Sequence, residues 1–394
     1  MLSLVAAGCS SSASGTDGPL SPTPSPSSSA PSAAALPAPS PVRSAAPNCA
    51  AQVFSRMSMA QRIGQLFLVG MPAAGGPGAE VAEAIRSYHF GSVLFVGDST
   101  AGTAGVRKIT AAAQASAPGD VRLFVAANQE GGQIQQLSGP GFAPVPSAVV
   151  QGTMAASALR EQTAVWGREL KSAGVNLDLA PVMDVVPPGT AGQNAPIGML
   201  QREYGGEPGI VASHGVAFID GMRQAGLATS AKHFPGLGRV RGNTDFTANV
   251  VDTVTTAGDP YLSTYQAAID AGVPFVMVAL ATYTRIDPGH IAAFSSRIMD
   301  GILRRRMHFQ GVIVSDDLGG AAAVSGVSPG ARAIGFLSAG GDLITSQTAT
   351  AAIAMDQAVT QRAAGNAGFR AVVNDASMRV LDAKQAAGLL SCAT

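Results

Sequence analysis

From about residue 53 onward, short apolar runs alternate with longer stretches of helical spacing. Eight runs stand out: QLFLVG (65–70), GSVLFVG (91–97), RLFVAAN (122–128), VNLDLAPV (175–182), LATSAKHF (227–234), FVMVALATY (275–283), GVIVSDD (311–317) and DLITS (342–346). Most are apolar at nearly every position rather than at alternate ones, the pattern of strands covered on both faces. Between them, ALREQTAVWGRELKSAG and PGIVASHGVAFIDGMRQAG have helical period and close on Gly174 and Gly226, glycine being the residue that ends a helix at least conformational cost. Eight strands alternating with helices predict a single (β/α)8 TIM barrel over residues 48–394. An open doubly wound sheet is the rival; its dinucleotide-binding form is disfavoured because no GxGxxG follows the first run.

The first 47 residues break this rhythm. MLSLVAAGC reads as the end of a lipoprotein signal, an apolar run closing on small residues and Cys9, with serines after it. Residues 10–47 are Ser, Pro and Ala almost throughout, a composition that cannot pack a core and predicts a disordered tether. The expected division is therefore signal (1–9), tether (10–47) and barrel (48–394), in an exported protein held at the cell membrane or cell wall by a lipid on Cys9. No run is long enough to span a bilayer. Cys49 and Cys392 are the remaining cysteines, and in an oxidising compartment they are a candidate disulfide joining the ends of the domain.

Charge narrows the partner. Of 394 residues, 13% are charged, with 25 basic and 25 acidic side chains, so there is no electrostatic footprint for nucleic acid or an anionic membrane surface. A neutral small molecule or oligosaccharide is expected instead.

Chemistry in a barrel gathers at the C-terminal ends of the strands, and four runs end in polar groups that would cost desolvation unless paired or used. The third ends in Asn128, with Gln129 and Glu130 next; the fourth is followed by Asp184; the fifth ends in Lys232 and His233; the seventh ends in Asp316 and Asp317. Asp184 equally suits a helix cap. Asp316 and Asp317, adjacent in an extended run, should point to opposite faces, leaving one for the mouth and one for structure. His89, His214 and His308 fall away from the strand ends and read as packing or surface residues. No Cys-x-x-Cys, clustered histidines, Walker loop or Gly-x-Ser-x-Gly elbow occurs, so neither metal nor cofactor is expected. Carboxylate and imidazole chemistry on an uncharged substrate remains, and cleavage of a glycosidic bond leads that class.

The segments RIGQLFLVG, NQEGG, NLDLAPVMDV, KHFPGLG, FSSRIM and GVIVSDDL resemble, in order and spacing, the family 3 glycoside hydrolases, and among them the NagZ-type β-N-acetylglucosaminidases, which include the actinobacterial LpqI-type lipoproteins. The resemblance implies a barrel without the second α/β domain of larger relatives. It also implies a monomer without cofactor that removes N-acetylglucosamine from peptidoglycan fragments by retaining double displacement. It makes Asp316 the nucleophile, whose ionisation Arg202 and Lys232 would favour if close, and it assigns sugar contacts to Asn128, Arg202, Lys232 and His233. Gln136 occupies a substrate-binding position where relatives often have Arg, and Leu280 one where many have His. NagZ-type enzymes carry Asp-x-His on a mobile loop after KHFPG; here Asp245 is kept while Thr247 takes the place of the histidine. The general acid is thus open among Asp245 itself, Glu130 and Asp317. A sugar-binding barrel with weakened hydrolysis, or a glycosidase for another hexose, are the alternative readings.

Overall fold

The computed structural model describes residues 48–392 except Pro118; the expected signal, with Cys9, and the tether lie outside the described residues. Each apolar run forms a strand: β1 (Phe67–Pro72), β2 (Ser92–Val96), β3 (Phe124–Ala127), β4 (Leu177–Asp178), β5 (Ala228–Phe234), β6 (Phe275–Val278), β7 (Val312–Ser315) and β8 (Ile344–Ser346). All neighbours pair in parallel in chain order, β1 also pairs with β8, and a bridge between Val314 and Leu343 joins β7 to β8. The sheet is therefore a closed cylinder, the expected (β/α)8 barrel. Closure explains the uninterrupted apolar runs. Phe67, Phe124, Phe275 and Val312 are fully buried because barrel interior and helical shell cover the two faces of every strand.

Several strands are shorter than their runs. β4 spans only two residues, and the Asn176 side chain adds to its main-chain bonds with the β3 segment, at Val125 N (2.8 Å) and Leu123 O (3.1 Å). After β6, Ala279–Ala281 stay fully buried without belonging to the strand, so apolarity there marks packing under a loop. The helices Ala156–Ser172 and Pro208–Gln224 end as read, with Gly174 at φ 83° and Gly226 at φ 76°, conformations that glycine adopts without a Cβ penalty.

The barrel's other end is closed from the C-terminus. The ammonium of Lys384, fully buried on helix Ala367–Ala386, donates to Gln65 Oε1 (2.7 Å), Gly91 O (2.8 Å) and Arg122 O (2.8 Å), satisfying all three protons just before β1, β2 and β3. On the same helix, Leu381 packs with Ala50 and Val53 of helix Cys49–Arg56, and Cys49 is disulfide-bonded to Cys392 across 343 residues of sequence, the pairing expected from the sequence. Among the described residues no helix is long and apolar enough to cross a membrane.

Because the bridge closes nearly the whole domain into one loop, it restricts the unfolded chain strongly. Replacing both cysteines by serine should lower the unfolding free energy by about 2–4 kcal/mol. Urea midpoints without reductant would show the difference; equal midpoints would contradict it.

Candidate active site

Loops beyond the C-terminal strand ends enclose a pocket of about 320 Å³. It brings together all seven residues expected in the barrel site: Asn128, Gln136, Arg202, Lys232, His233, Asp245 and Asp316. Asp317 lines it as well, while Leu280 is buried in the core.

Its floor is organised around Glu130. Arg202 grips that carboxylate with Nε on Oε2 and Nη2 on Oε1, both at 2.7 Å, and Lys232 Nζ lies 2.6 Å from Oε1. Burial pushes the Glu130 carboxyl upward, but the charges of Arg202 and Lys232 overcome that and hold it at about 2. Glu130 is therefore ionised at any working pH and has no proton to give, which removes it as an acid. Lys232 also donates to Asn128 Oδ1 at 2.7 Å, so the amide oxygen of Asn128 is used within the protein.

A second group of contacts orients His233. Asp184 Oδ2 lies 2.8 Å from His233 Nδ1, and Asp184 Oδ1 accepts from His233 N (3.2 Å), Leu237 N (2.9 Å) and the Tyr265 hydroxyl (2.8 Å). Asp184 is fully buried and caps no helix, so that reading is corrected: four donors converge on it because its strand end faces β5. Burial opposes ionisation of Asp184, and the neighbouring His233 more than compensates, lowering its carboxyl. With Nδ1 held against Asp184, His233 Nε2 lies 3.4 Å from Arg202 Nη2.

Three further carboxylates differ in what they have left to offer. β7 stops at Ser315, so Asp316 and Asp317 sit in the turn beyond it and strand alternation does not separate them; both line the pocket. Asp317 has spent both oxygens on main-chain N–H groups, Gly319 (2.9 Å) and Gln347 (3.0 Å) on Oδ1 and Gly320 (3.0 Å) on Oδ2, and is structural. Asp316 Oδ1 takes only the N–H of Asp317, at 2.9 Å. Asp178, hidden within an apolar run, is fully buried at the end of β4. One oxygen accepts Gln129 N at 3.0 Å, the other has no partner, and burial pushes the carboxyl up to about 7.

Asp245 lies in a turn fixed at both ends. Its N–H bonds to Asn243 Oδ1 (2.9 Å), the N–H groups of Phe246 and Thr247 bond to Asn243 O (3.1 and 2.8 Å), and Ala322 N and Ala323 N donate to Asp245 O and Thr244 O, each at 3.1 Å. The loop expected to be mobile is thus docked on the segment that follows Asp316. Crowding of its carboxylate by protein, and then the charge of Asp316, raise Asp245 to about 6, with His233 and Arg202 opposing. The residue remains accessible to water. Thr247 is exposed. Gln136 lines the pocket with its amide already engaged, to Asn128 N (2.7 Å) and Phe95 O (3.1 Å), so it contributes shape more than a free polar group.

A barrel mouth with a free carboxylate, a second carboxylate of raised pKa and fixed cations, and no group of three metal-binding side chains among the described residues, has the parts of an acid–base hydrolase for sugars. The chain belongs to glycosyl hydrolase family 3: residues 58–383 match the family's N-terminal domain, and the protein is a glycoside hydrolase. A beta-hexosaminidase from Xanthomonas axonopodis pv. citri (strain 306) is 34% identical over 255 residues, which are 61% of this chain and 71% of the relative. Among solved structures, the beta-N-acetylhexosaminidase from Beutenbergia cavernae DSM 12333 is 46% identical with a TM-score of 0.81, covering 84% of this chain and 99% of that one. LpqI of M. tuberculosis is 25% identical with a TM-score of 0.71, covering 84% and 95%.

Removing the charge of Glu130 should expose how much the floor depends on it. Glu130→Gln leaves Arg202 and Lys232 buried without their shared counter-ion and should cost about 3–5 kcal/mol of stability at pH 7. The wild-type contribution is present above the ordinary glutamate value of 4.5 and is lost as pH falls toward 2. Urea unfolding at pH 7 and pH 3 should therefore show a gap between wild type and variant that narrows at the lower pH.

Proposed function

We propose that this glycoside hydrolase is a retaining exo-β-N-acetylglucosaminidase acting on N-acetylglucosamine-containing peptidoglycan fragments. The observation that carries the reading is that Asp316 and Asp245 line one pocket, beside Lys232, Arg202 and His233. The hexosaminidase names of the relatives support the substrate class. We attach to the same proposal export and anchoring through a lipid on Cys9, which would keep a monomeric enzyme at the cell wall.

Asp316 attacks the anomeric carbon while the leaving oxygen takes the proton of Asp245, giving a glycosyl ester and an ionised Asp245. Asp245 then removes a proton from water, the water oxygen attacks the same carbon, and the ester bond breaks to release the sugar and restore Asp316. The charge cycle suits this exchange. The charge of Asp316 holds the Asp245 proton on, and once Asp316 is esterified that repulsion vanishes, so Asp245 stays ionised, the form in which it can take a proton from water. The remaining residues bind: Lys232, Arg202, His233 and Asn128 meet sugar hydroxyls, with Gln136 shaping the wall.

Two measurements test the assignment. An aryl β-N-acetylglucosaminide should be turned over by the wild type and not by Asp316→Ala, and a slow fluorinated substrate should label the peptide containing Asp316. Turnover of a glucoside in preference would redirect the substrate class, and tight muropeptide binding without turnover would make the barrel a binder.

For Asp245→Asn, rates on poor leaving groups should fall by roughly 10² to 10⁴ and on good ones far less. Since the acid must be protonated, wild-type kcat/KM should decline as pH rises through about 6, and the variant should lose that limb. Equal loss on all leaving groups would remove Asp245 from the role.

A further inference from the structure

Phe246 is 84% exposed, more than any other large apolar side chain among the described residues, the next being Met199 at 58%. It follows Asp245 directly, lines the same pocket, and has no aromatic partner among the described residues. Its backbone is not loose. The turn is closed by Phe246 N to Asn243 O at 3.1 Å and docked through Asp245 O and Thr244 O onto Ala322 and Ala323. A large ring is therefore held in water at the rim by a fixed turn, where nothing in the fold covers it.

The pocket determines what can cover it. Leu94, Leu179 and Met277, each at most 4% exposed, form part of its lining toward the barrel interior, and that interior is filled with side chains. A glycan can enter such a blind pocket only end first, with one sugar beside Asp316 and the remainder at the mouth. If Asp245 reaches the scissile oxygen, the group bonded to that oxygen on the outer side lies next to residue 246. The C–H face of a pyranose carries slight positive charge and is apolar, which matches the negative face of an aromatic ring.

We propose that Phe246 is the platform of the leaving-group subsite, stacking on the sugar ring attached to the scissile oxygen, so that this enzyme prefers a sugar to a small leaving group. This rests on the reading that Asp245 faces the leaving oxygen. Phe246 is a positioning residue, and it acts on the part of the substrate that departs.

The test compares two substrates sharing the same transferred sugar, β-1,4-linked di-N-acetylglucosamine and β-N-acetylglucosaminyl fluoride, whose leaving group has no ring. In Phe246→Ala, kcat/KM should fall about tenfold on the disaccharide and by less than about twofold on the fluoride, a change in the range of one aromatic contact. Phe246→Trp should keep the disaccharide rate and Phe246→Leu should fall between. Equal losses on both substrates would mean that Phe246 only supports the loop, and an unchanged disaccharide rate would remove the platform; either result overturns the proposal. Calorimetry in an Asp316→Asn background gives a readout free of turnover. The disaccharide should bind more tightly than N-acetylglucosamine, and adding Phe246→Ala should shrink that gap about tenfold. Absence of a gap, or a gap that survives the substitution, counts against Phe246 even if the wild type cleaves neither substrate, an outcome that would separately refute the hexosaminidase reading.

Discussion

The cationic floor of the barrel mouth is referenced to one buried carboxylate. Glu130, just past β3, holds Arg202 from the loop after β4 and Lys232 from β5, so three successive strand connections are tied at one point. Burying three charges is costly in itself, and the cluster is tolerable because each cation meets the carboxylate at hydrogen-bond distance and retains other acceptors, Pro196 O for Arg202 and Asn128 Oδ1 for Lys232. The result is cations fixed before any sugar arrives, so little reorganisation is left for the binding step. His233 is placed by the adjoining Asp184 contacts and touches the same Arg202, which couples the two halves of the floor.

Within that frame the carboxylates separate by what their oxygens already do. Glu130 has two cations, Asp184 four donors and Asp317 three backbone amides. Asp316 has one amide from its own neighbour, and Asp245 bonds within its turn through its main-chain N–H, which donates to Asn243 Oδ1. Asp316 and Asp245 share the pocket with lone pairs to spare and no cation clamped on either. Reactivity here is a matter of partners withheld.

That distinction is what the linear sequence could not supply. The eight strands were legible because closure covers both faces of each and leaves long apolar runs; their ends were less so, because Ala279–Ala281 remain fully buried under a loop after β6 has stopped. The seven pocket residues were legible from strand-end position and family resemblance together. Glu130, Asp184 and Asp317 looked as reactive as Asp316 or as dull as a cap, since nothing local reveals how many donors another strand will bring. Asp178 was invisible within an apolar run, and Gln136 was read as a substrate contact although Asn128 N and Phe95 O occupy its amide. The signal for Asp184 was present in outline: an acid after one strand and a histidine ending the next, in a topology that makes those strands neighbours.

Thr247 then takes on a different meaning. An imidazole two residues beyond the aspartate would require a loop able to carry it inward, with the aspartate tuning it. Here the turn is bonded through Asp245 O and Thr244 O to Ala322 and Ala323, in the stretch of chain that also carries Asp316 and Asp317. Asp245 and Asp316 are thereby referenced to one piece of backbone, and in the proposed mechanism a carboxylic acid in that position donates its proton without a relay. Such an arrangement needs a raised carboxyl more than it needs a histidine. The charge of Asp316 supplies part of that rise, and under the proposed double displacement the same charge would disappear on esterification. A loop held in this way gives up the option of swinging a side chain into place and gains a carboxyl whose proton affinity follows the charge of Asp316 beside it.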